Sequence, residues 1–476
     1  MRQGGHMARR TAVEAKLPRL TKVKAAGLLI ATVAMVVTSV VDIADLAPPG
    51  RRMLGIFLAA IALWVTEAIP LYATAVGVIL AQVLLISTDG LVDAGPDAPT
   101  STAIFATLAS PVLILFLGGF LLADGAAKFG LDRSIAAVML RPFHGSARGT
   151  VFGLMLITGL LSMFMSNTAT TATMFAVVLP ILALVPEEKM RAGVAVSIPV
   201  AANIGGIGTP VGSPPNAVAL GALKERGVDL TFVDWMALAL PYTLALLFFA
   251  WWVICLWFVP RGVKLTVTMS ASFDTSIPAR VFYVVAGVTI LLWMSEPLHG
   301  LSSNIVGFIP VVALLGTQVM SGEDLKKLSW PVLWLVAGGI ALGKGAQATG
   351  LDGWIVGAVQ WSSLPVWALL LGLAALGLGM SNVMSHSASA NLLVPLALGF
   401  SAGLAVSPIT IAVLIAIACS LGMSMPISTP PNAIAYATGA IKTKDMAVVG
   451  LVVGGIGALV LAFALPWLWD LSGITS

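Results

Sequence analysis

The sequence predicts an all-α polytopic membrane protein. It reads as an inverted repeat with two re-entrant helical hairpins and two broken transmembrane helices. Three observations carry that expectation. First, 58% of the 476 residues are apolar and 10% are charged, against roughly 25% charged in soluble globular proteins, and apolar runs of membrane-crossing length recur from end to end. Second, a set of motifs recurs at one fixed offset. Third, four polar interruptions in two pairs break otherwise apolar segments. The formal net charge of +4 fits basic anchors on membrane-facing loops and implies no nucleic-acid partner. Cys255 and Cys419 both lie in apolar spans, so no disulfide framework is implied.

Residues 1–24 carry Arg2, Arg9, Arg10, Lys16, Arg19, Lys22 and Lys24. No clear small-residue cleavage site follows, so they read as a retained cytoplasmic tail. Spans are expected near 25–46, 52–69, 70–87, 104–125, 190–211, 236–259, 278–298, 304–320, 329–347, 408–427 and 446–470, with half-helices near 214–222 and 430–440. Segments 148–186 and 364–400 are apolar around an uncharged polar centre, which suits a hairpin that enters the membrane halfway and returns. With the N-terminus inside, Arg133, Arg148, Lys189, Arg191, Lys327 and Lys442 fall on the cytoplasmic side, and the Asp89, Asp93, Asp97 loop falls opposite. The chain is therefore expected in the cell inner (plasma) membrane, with Trp330, Trp354, Trp467 and Trp469 in the interfacial belts.

The repeat pairs Pro111-Val112-Leu113 with Pro331-Val332-Leu333 and Gly118-Gly119 with Gly338-Gly339. It also pairs Gly125-Ala126 with Gly345-Ala346 and Gly130-Leu131-Asp132 with Gly350-Leu351-Asp352. All share one offset of 220 residues. By the span count the two copies enter the membrane from opposite sides, an arrangement that places a site near the midplane at the repeat interface.

The four interruptions are Ser166-Asn167-Thr168, Ser381-Asn382-Val383, Gly212-Ser213-Pro214-Pro215-Asn216 and Ser428-Thr429-Pro430-Pro431-Asn432. Ser, Asn and Thr in succession are poor helix-interior residues and good caps, so a new helix is expected to start there. Its free N–H groups and the positive end of its dipole would make an anion site at membrane depth. In the second kind of break, glycines loosen the helix and Pro-Pro restarts it. Freed carbonyls near Gly212 would suit a hard cation. With no arginine in the breaks, a bound anion would be balanced by dipoles and co-bound cations. Glu67, Asp124, Glu296 and Lys344 are costly in lipid and functional by default. None is assigned to the substrate, and for Asp124 and Lys344, equivalent in the repeat, an ion-pair role in holding domains weighs as much as a substrate role. The scattered histidines give no metal-ligand spacing, no nucleophile–base pair is apparent, and no enzyme is read.

The Ser-Asn-Thr motif and its repeat, the two Pro-Pro-Asn breaks and Thr66-Glu67-Ala68-Ile69-Pro70 resemble the divalent anion–sodium symporter family of dicarboxylate and citrate transporters, over residues 25 to 470. The resemblance implies a homodimer working by an elevator-type mechanism. It divides the chain into first-repeat scaffold spans 25–125 and a first transport region 126–235, then scaffold spans 236–347, a second transport region 348–440, and the last span with the C-terminus at 441–476. It implies that Ser166, Asn167, Thr168, Ser213, Ser381, Asn382, Thr429 and Pro430 meet a small dianion, most favourably a C4-dicarboxylate. A first Na⁺ would sit with Ser162, Ser166, Asn167 and Gly212, and a second around Asn382 and Ser428. This sequence departs from the pattern at Val383, where a hydroxyl is lost, and at Gly377. His386, whose repeat partner at the same register is Thr171, could stand in for a cation when protonated. The first Na⁺ site is expected intact and the second degraded. A Na⁺-independent dicarboxylate exchanger, a citrate or sulfate carrier, and an anion channel are the competing readings.

Overall fold

Prolines set where many of these helices begin, because a first turn leaves the missing N–H unpaired anyway and the fixed φ suits a helix start. The computed structural model describes residues 21–95, 98–143, 145–185, 187–265, 271–357, 365–401 and 406–474, and among them there is no strand. Most of the expected tail, 1–24, lies outside the described residues.

The first half opens with α1 (Lys22–Val40), α2 (Pro48–Thr66), α3 (Leu71–Ile86), α4 (Ser101–Phe105), α5 (Pro111–Lys128) and α6 (Leu131–Leu140). It continues with α7 (Ala147–Ser162), α8 (Asn167–Leu184), α9 (Glu188–Gly205), α10 (Pro214–Glu225) and α11 (Phe232–Trp257). The second half has α12 (Ile277–Met294), α13 (Glu296–His299), α14 (Ser303–Gly316), α15 (Gly322–Lys327), α16 (Trp330–Ala348) and α17 (Leu351–Gly357). It ends with α18 (Val366–Val383), α19 (His386–Ser401), α20 (Pro408–Ser420), α21 (Pro430–Ala437), α22 (Thr443–Phe463) and α23 (Leu465–Ser472). Among the described residues, 7 helical stretches are long and apolar enough to cross a membrane, α18 among them. Leu29 and Val36 on α1, and Val284 and Leu291 on α12, turn apolar side chains outward, as a lipid-facing surface requires.

The halves interlock. α3 packs on α16 while α14 packs on α5, and α10 packs on α19 and α20 while α21 packs on α8 and α9. Each half lends equivalent elements to the other, the pattern of a pseudo-twofold. The repeated glycines mark equivalent crossings. A Cβ on Gly118 would lie 1.8 Å from the Gly307 carbonyl oxygen, and one on Gly338 would lie 2.5 Å from the Ala75 Cβ. Small residues at such points let backbones close up where lipid offers no hydrophobic drive between helices.

Several expectations need correction. The single span 446–470 is two helices, parted at Ala464 ahead of Pro466, which cannot donate to the preceding turn. The span 408–427 stops at Ser420, because Gly422 and Pro426 cannot sustain it. Asp124 makes no ion pair with Lys344. Lys344 instead meets Glu225 at 3.4 Å and Arg226 meets Asp352 at 3.2 Å, tying the end of α10 to α16 and α17. Buried Glu296 accepts backbone N–H groups from Phe232 (3.3 Å) and Ser303 (3.2 Å), joining the starts of α11 and α14 through both dipoles. Glu67 is exposed and closes α2 with a left-handed φ of 46°.

Candidate functional site

Segment 148–186 forms α7 and α8 with a turn between Ser162 and Asn167. Ser166 caps α8, its Oγ accepting the Ala169 N–H at 3.2 Å, so the remaining first-turn donors face the turn. Thr168 is exposed there, and Ser166 and Asn167 are half-buried. Ser162 Oγ donates to the Ala202 carbonyl at 2.8 Å. The Asn167 amide lies against Ser162 Oγ at 2.7 Å and the carbonyls of Ala202 and Gly212 at 3.2 Å, three oxygens that its nitrogen meets as a donor in one amide orientation and that its oxygen joins around a cation in the other.

The first break separates α9 from α10. Its backbone is held by three side chains. Thr209 Oγ1 donates to the Met163 carbonyl, Asn216 Nδ2 donates to the carbonyls of Gly206 (2.9 Å) and Thr209 (2.8 Å), and Trp235 Nε1 donates to Ile207 (3.0 Å). Only glycine fits the crowded points. A Cβ on Gly206 would lie 2.4 Å from the Asn167 side-chain amide, and one on Gly212 would lie 2.6 Å from the Gly206 carbonyl oxygen. Ser162, Asn167 and Gly212 thus come together as expected, with Ala202 and Gly206 adding carbonyls. Unwound carbonyls with hydroxyls and an amide make an oxygen-rich setting of the kind that coordinates Na⁺.

The second break repeats the device. Asn432 Nδ2 donates to the carbonyls of Met423 (2.8 Å) and Met425 (3.0 Å), as Asn216 does in its half. Ser428 Oγ donates to Met425 at 2.6 Å. Thr429 caps α21, with its Oγ1 accepting the Asn432 N–H at 3.2 Å, and Pro430 opens that helix. Ser213, at the matching position ahead of α10, makes no cap, and its hydroxyl is buried without a partner.

The second tip differs in register from the expectation. Ser381 and Asn382 lie in the last turn of α18, not at the start of a helix. The chain turns at Met384-Ser385, and Ser385 Oγ accepts the Ala388 N–H at 3.2 Å, the capping role Ser166 has in the first half. Aligning the two caps pairs Ser162, Met165, Ser166, Asn167, Thr168 and Ala169 with Ser381, Met384, Ser385, His386, Ser387 and Ala388, an offset of 219 that nearly matches the 220 of the flanking motifs. His386 is therefore the partner of Asn167, not of Thr171. Ser387 supplies the hydroxyl that Val383 lacks, and Ser381 stands where Ser162 does, so Gly377 removes nothing. His386 Nε2 faces the Gly422 carbonyl at 2.8 Å. Asn382 Oδ1 accepts from the N–H (2.9 Å) and Oγ (2.5 Å) of Ser424, fastening this tip to the second break.

The breaks also meet each other. Asn203, in the last turn of α9, donates to Thr429 Oγ1 (3.3 Å) and Asn432 Oδ1 (3.2 Å). The four points form a chain, tip to break to break to tip, while no direct hydrogen bond joins the Ser166–Thr168 and Ser381–Asn382 segments among the described residues. Asn203, Asn216, Asn432 and Ser424 carry this network; Asn216 and Asn432 were expected only as ends of the breaks, and Asn203, Ser424, Ser385 and Ser387 were not singled out from sequence. The shared Pro-Pro-Asn was the available signal for two of them. Beside the breaks, Thr170 Oγ1, Thr171 Oγ1, Asn203 Oδ1 and Asn216 Oδ1 are buried without hydrogen-bond partners. Such groups cost about 1–3 kcal/mol each when left unmet. No Lys, Arg, Asp or Glu lies in 160–180, 203–216, 376–395 or 419–432, and the tips and breaks themselves offer peptide dipoles, amides, hydroxyls and the His386 imidazole, while the Asp132 carboxylate accepts from Thr173 Oγ1 further along α8 at 2.7 Å.

The sequence profile of the family described as CitMHS, citrate transporter, matches residues 61–418. The chain belongs to this citrate transporter family. As a member, it is 32% identical over 423 residues to an uncharacterized transporter of Haemophilus influenzae, covering 84% of this chain and 88% of that protein. It is 27% identical over 457 residues to the sodium-dependent dicarboxylate transporter SdcS of Staphylococcus saprophyticus (87% and 86% covered), and 26% identical over 462 residues to SdcS of Staphylococcus aureus (88% and 85% covered). Its fold resembles the YdaH transporter of Alcanivorax borkumensis, with a TM-score of 0.53 at 15% identity over 88% of this chain and 100% of that one. The citrate transporter family member is thus a multi-pass membrane transporter rather than an enzyme, and the expected all-helical fold class stands.

Proposed function

We propose that the protein is a Na⁺-coupled secondary transporter of small divalent anions, C4-dicarboxylates such as succinate, fumarate and malate foremost. The observation that carries this reading is the polar chain that runs from Asn167 to the Ala202 carbonyl, from the adjoining Asn203 to Thr429 and Asn432, and from Asn432 through Met423-Ser424 to Asn382, among buried apolar helices. The relatives named sodium-dependent dicarboxylate transporters support the ligand class. In this reading the starts of α8, α10 and α21 face a carboxylate through Ser166, Asn167, Thr168, Ser213, Thr429 and Pro430. The second tip contributes Ser381 and Asn382, joined by Ser385 and Ser387. One Na⁺ takes the oxygens around Ser162, Ser166, Asn167 and Gly212, and a second position lies around Asn382 and Ser428. The hairpins and broken helices move as a transport region against the remaining spans, in an elevator-type homodimer of the cell inner membrane with its N-terminus in the cytoplasm.

The test is uptake of labelled succinate into proteoliposomes holding the full chain, with outside Na⁺ replaced by choline. Uptake that saturates with succinate and collapses in choline supports the reading. Saturable uptake undiminished in choline removes Na⁺ coupling, and unsaturable flux indicates a channel. A second reading is favoured by His386 at the place of Asn167. An imidazole facing the Gly422 carbonyl occupies the position where the first half offers an amide, and Na⁺-independent exchange of one dicarboxylate for another follows if its charge replaces the ion.

A further inference from the structure

A cavity of about 560 Å³ opens where α8 and α11 end, α9 and α22 begin, and the chain leaves α21. It lies at the far end of α8 from the Ser166 tip, about 27 Å along an 18-residue helix, so it is not part of the site described above. Its floor is apolar, with Leu182, Ala192 and Phe258 buried and Leu179 exposed. Its rim is polar and mostly basic. Lys189, Arg191 and Lys442 face Glu188 and Asp445 across it. Lys442 Nζ meets the Glu188 carboxylate at 2.8 Å, and this contact holds that carboxyl below its usual range. Lys189 and Arg191 form no ion pair among the described residues.

A rim with a surplus of positive charge above an apolar floor, at the level where several hydrophobic helices terminate, has the two-part chemistry of a phospholipid. A soluble anion needs the rim and has no use for the floor. We propose that this cavity binds an anionic membrane phospholipid, with its phosphate on Lys189, Arg191 and Lys442 and an acyl chain along Leu179, Leu182 and Phe258. Basic pockets at helix ends recognise lipid head groups in this manner. The lipid would brace the base of the first hairpin against the last span. Because α21 leads from the second break into this cavity, the lipid would also steady the helix whose start carries Thr429.

The full-length protein in neutral detergent is titrated with phosphatidylglycerol, with phosphatidylcholine of the same acyl chains, and with inorganic phosphate. Native mass spectrometry reads the bound lipid and thermal melting reads stabilisation. Phosphatidylglycerol is expected to bind and raise the melting temperature, and phosphatidylcholine and phosphate are expected to do neither. In Lys189→Gln, Arg191→Gln and Lys442→Gln, made singly and combined in one variant, affinity is expected to fall about fivefold for each charge removed. Leu179→Trp, which narrows the floor and leaves the rim, is expected to weaken phosphatidylglycerol as well. Lys189→Gln alone alters an exposed side chain and keeps the test available if the combined variant does not fold. Equal binding of phosphatidylglycerol and phosphatidylcholine, stabilisation by phosphate matching that by lipid, or unchanged lipid affinity in the folded rim variants would overturn the proposal.

Discussion

Replacing Gly206 by alanine tests the proposed first Na⁺ position where the Asn167 tip and the first break close on each other. The added Cβ would lie 2.4 Å and 3.0 Å from the two heteroatoms of the Asn167 amide and 3.0 Å from the Gly212 carbonyl oxygen. Ordinary carbon contacts begin near 3.4 Å, so either the tip or the break must retreat by about 1 Å. Overpacking of this kind costs about 1–3 kcal/mol. If that strain is released by pulling Asn167 from the cradle, apparent Na⁺ affinity falls about 5- to 150-fold. The control is Gly372→Ala on α18, where a Cβ meets nothing within 4 Å and alanine favours the helix by about 0.5–1 kcal/mol. The assay is the Na⁺ concentration giving half-maximal succinate uptake in proteoliposomes, with melting temperature measured in parallel. A Gly206→Ala protein that melts lower yet keeps the wild-type Na⁺ requirement would refute the placement of the ion.

Other substitutions separate the remaining parts of the network. Asn216→Ala removes two buried donors to Gly206 and Thr209, so stability is expected to drop by about 2–4 kcal/mol with loss of transport, read by melting and uptake together. Asn203→Asp leaves a second oxygen facing Asn432 Oδ1, 3.2 Å away. The KM for succinate is expected to rise at least tenfold, and Asn203→Gln to recover part of it. His386→Asn gives the second tip the chemistry of the first, and the Hill coefficient for Na⁺ is expected to rise from about 1 toward about 2. An unchanged coefficient argues against any role of His386 in ion balance. Glu296→Ala strips the acceptor from the starts of α11 and α14 and is expected to cost about 1–3 kcal/mol in melting assays, while the corresponding change at exposed Glu67 leaves melting unmoved.

Much of the architecture was legible because lipid leaves few options. Helices such as α3 (Leu71–Ile86) and α10 (Pro214–Glu225) start within a residue of where Pro and apolar composition placed them. The 220-residue echo of Gly118-Gly119 proved to mark two helix crossings, since bare backbone is what such crossings demand. The second tip was misread because Ser381-Asn382 copies the first tip by composition, while a helix start is decided by which side chain reaches an N–H three residues on. Ser385 does so, while Met-Ser opens both Met380-Ser381 and Met384-Ser385 and could not decide between them. The asparagines were obscured for a related reason. A side chain that staples carbonyls from a distant loop leaves no local periodicity, so the role of Asn203 becomes visible only once α9 and α21 are brought together.

The interlocked crossings bear on how the chain is made. Gly118 waits for Gly307, 189 residues behind it, which at about 5–20 residues per second is a delay of about 10–40 s. Through that interval α5 presents a bare backbone seam, and Asn203 has no Thr429 to hold. A polypeptide stopped before α14 would therefore be an unclosed fragment rather than half of a carrier. Expressed beside the missing piece as a separate chain, it would retain the surface needed to recruit it.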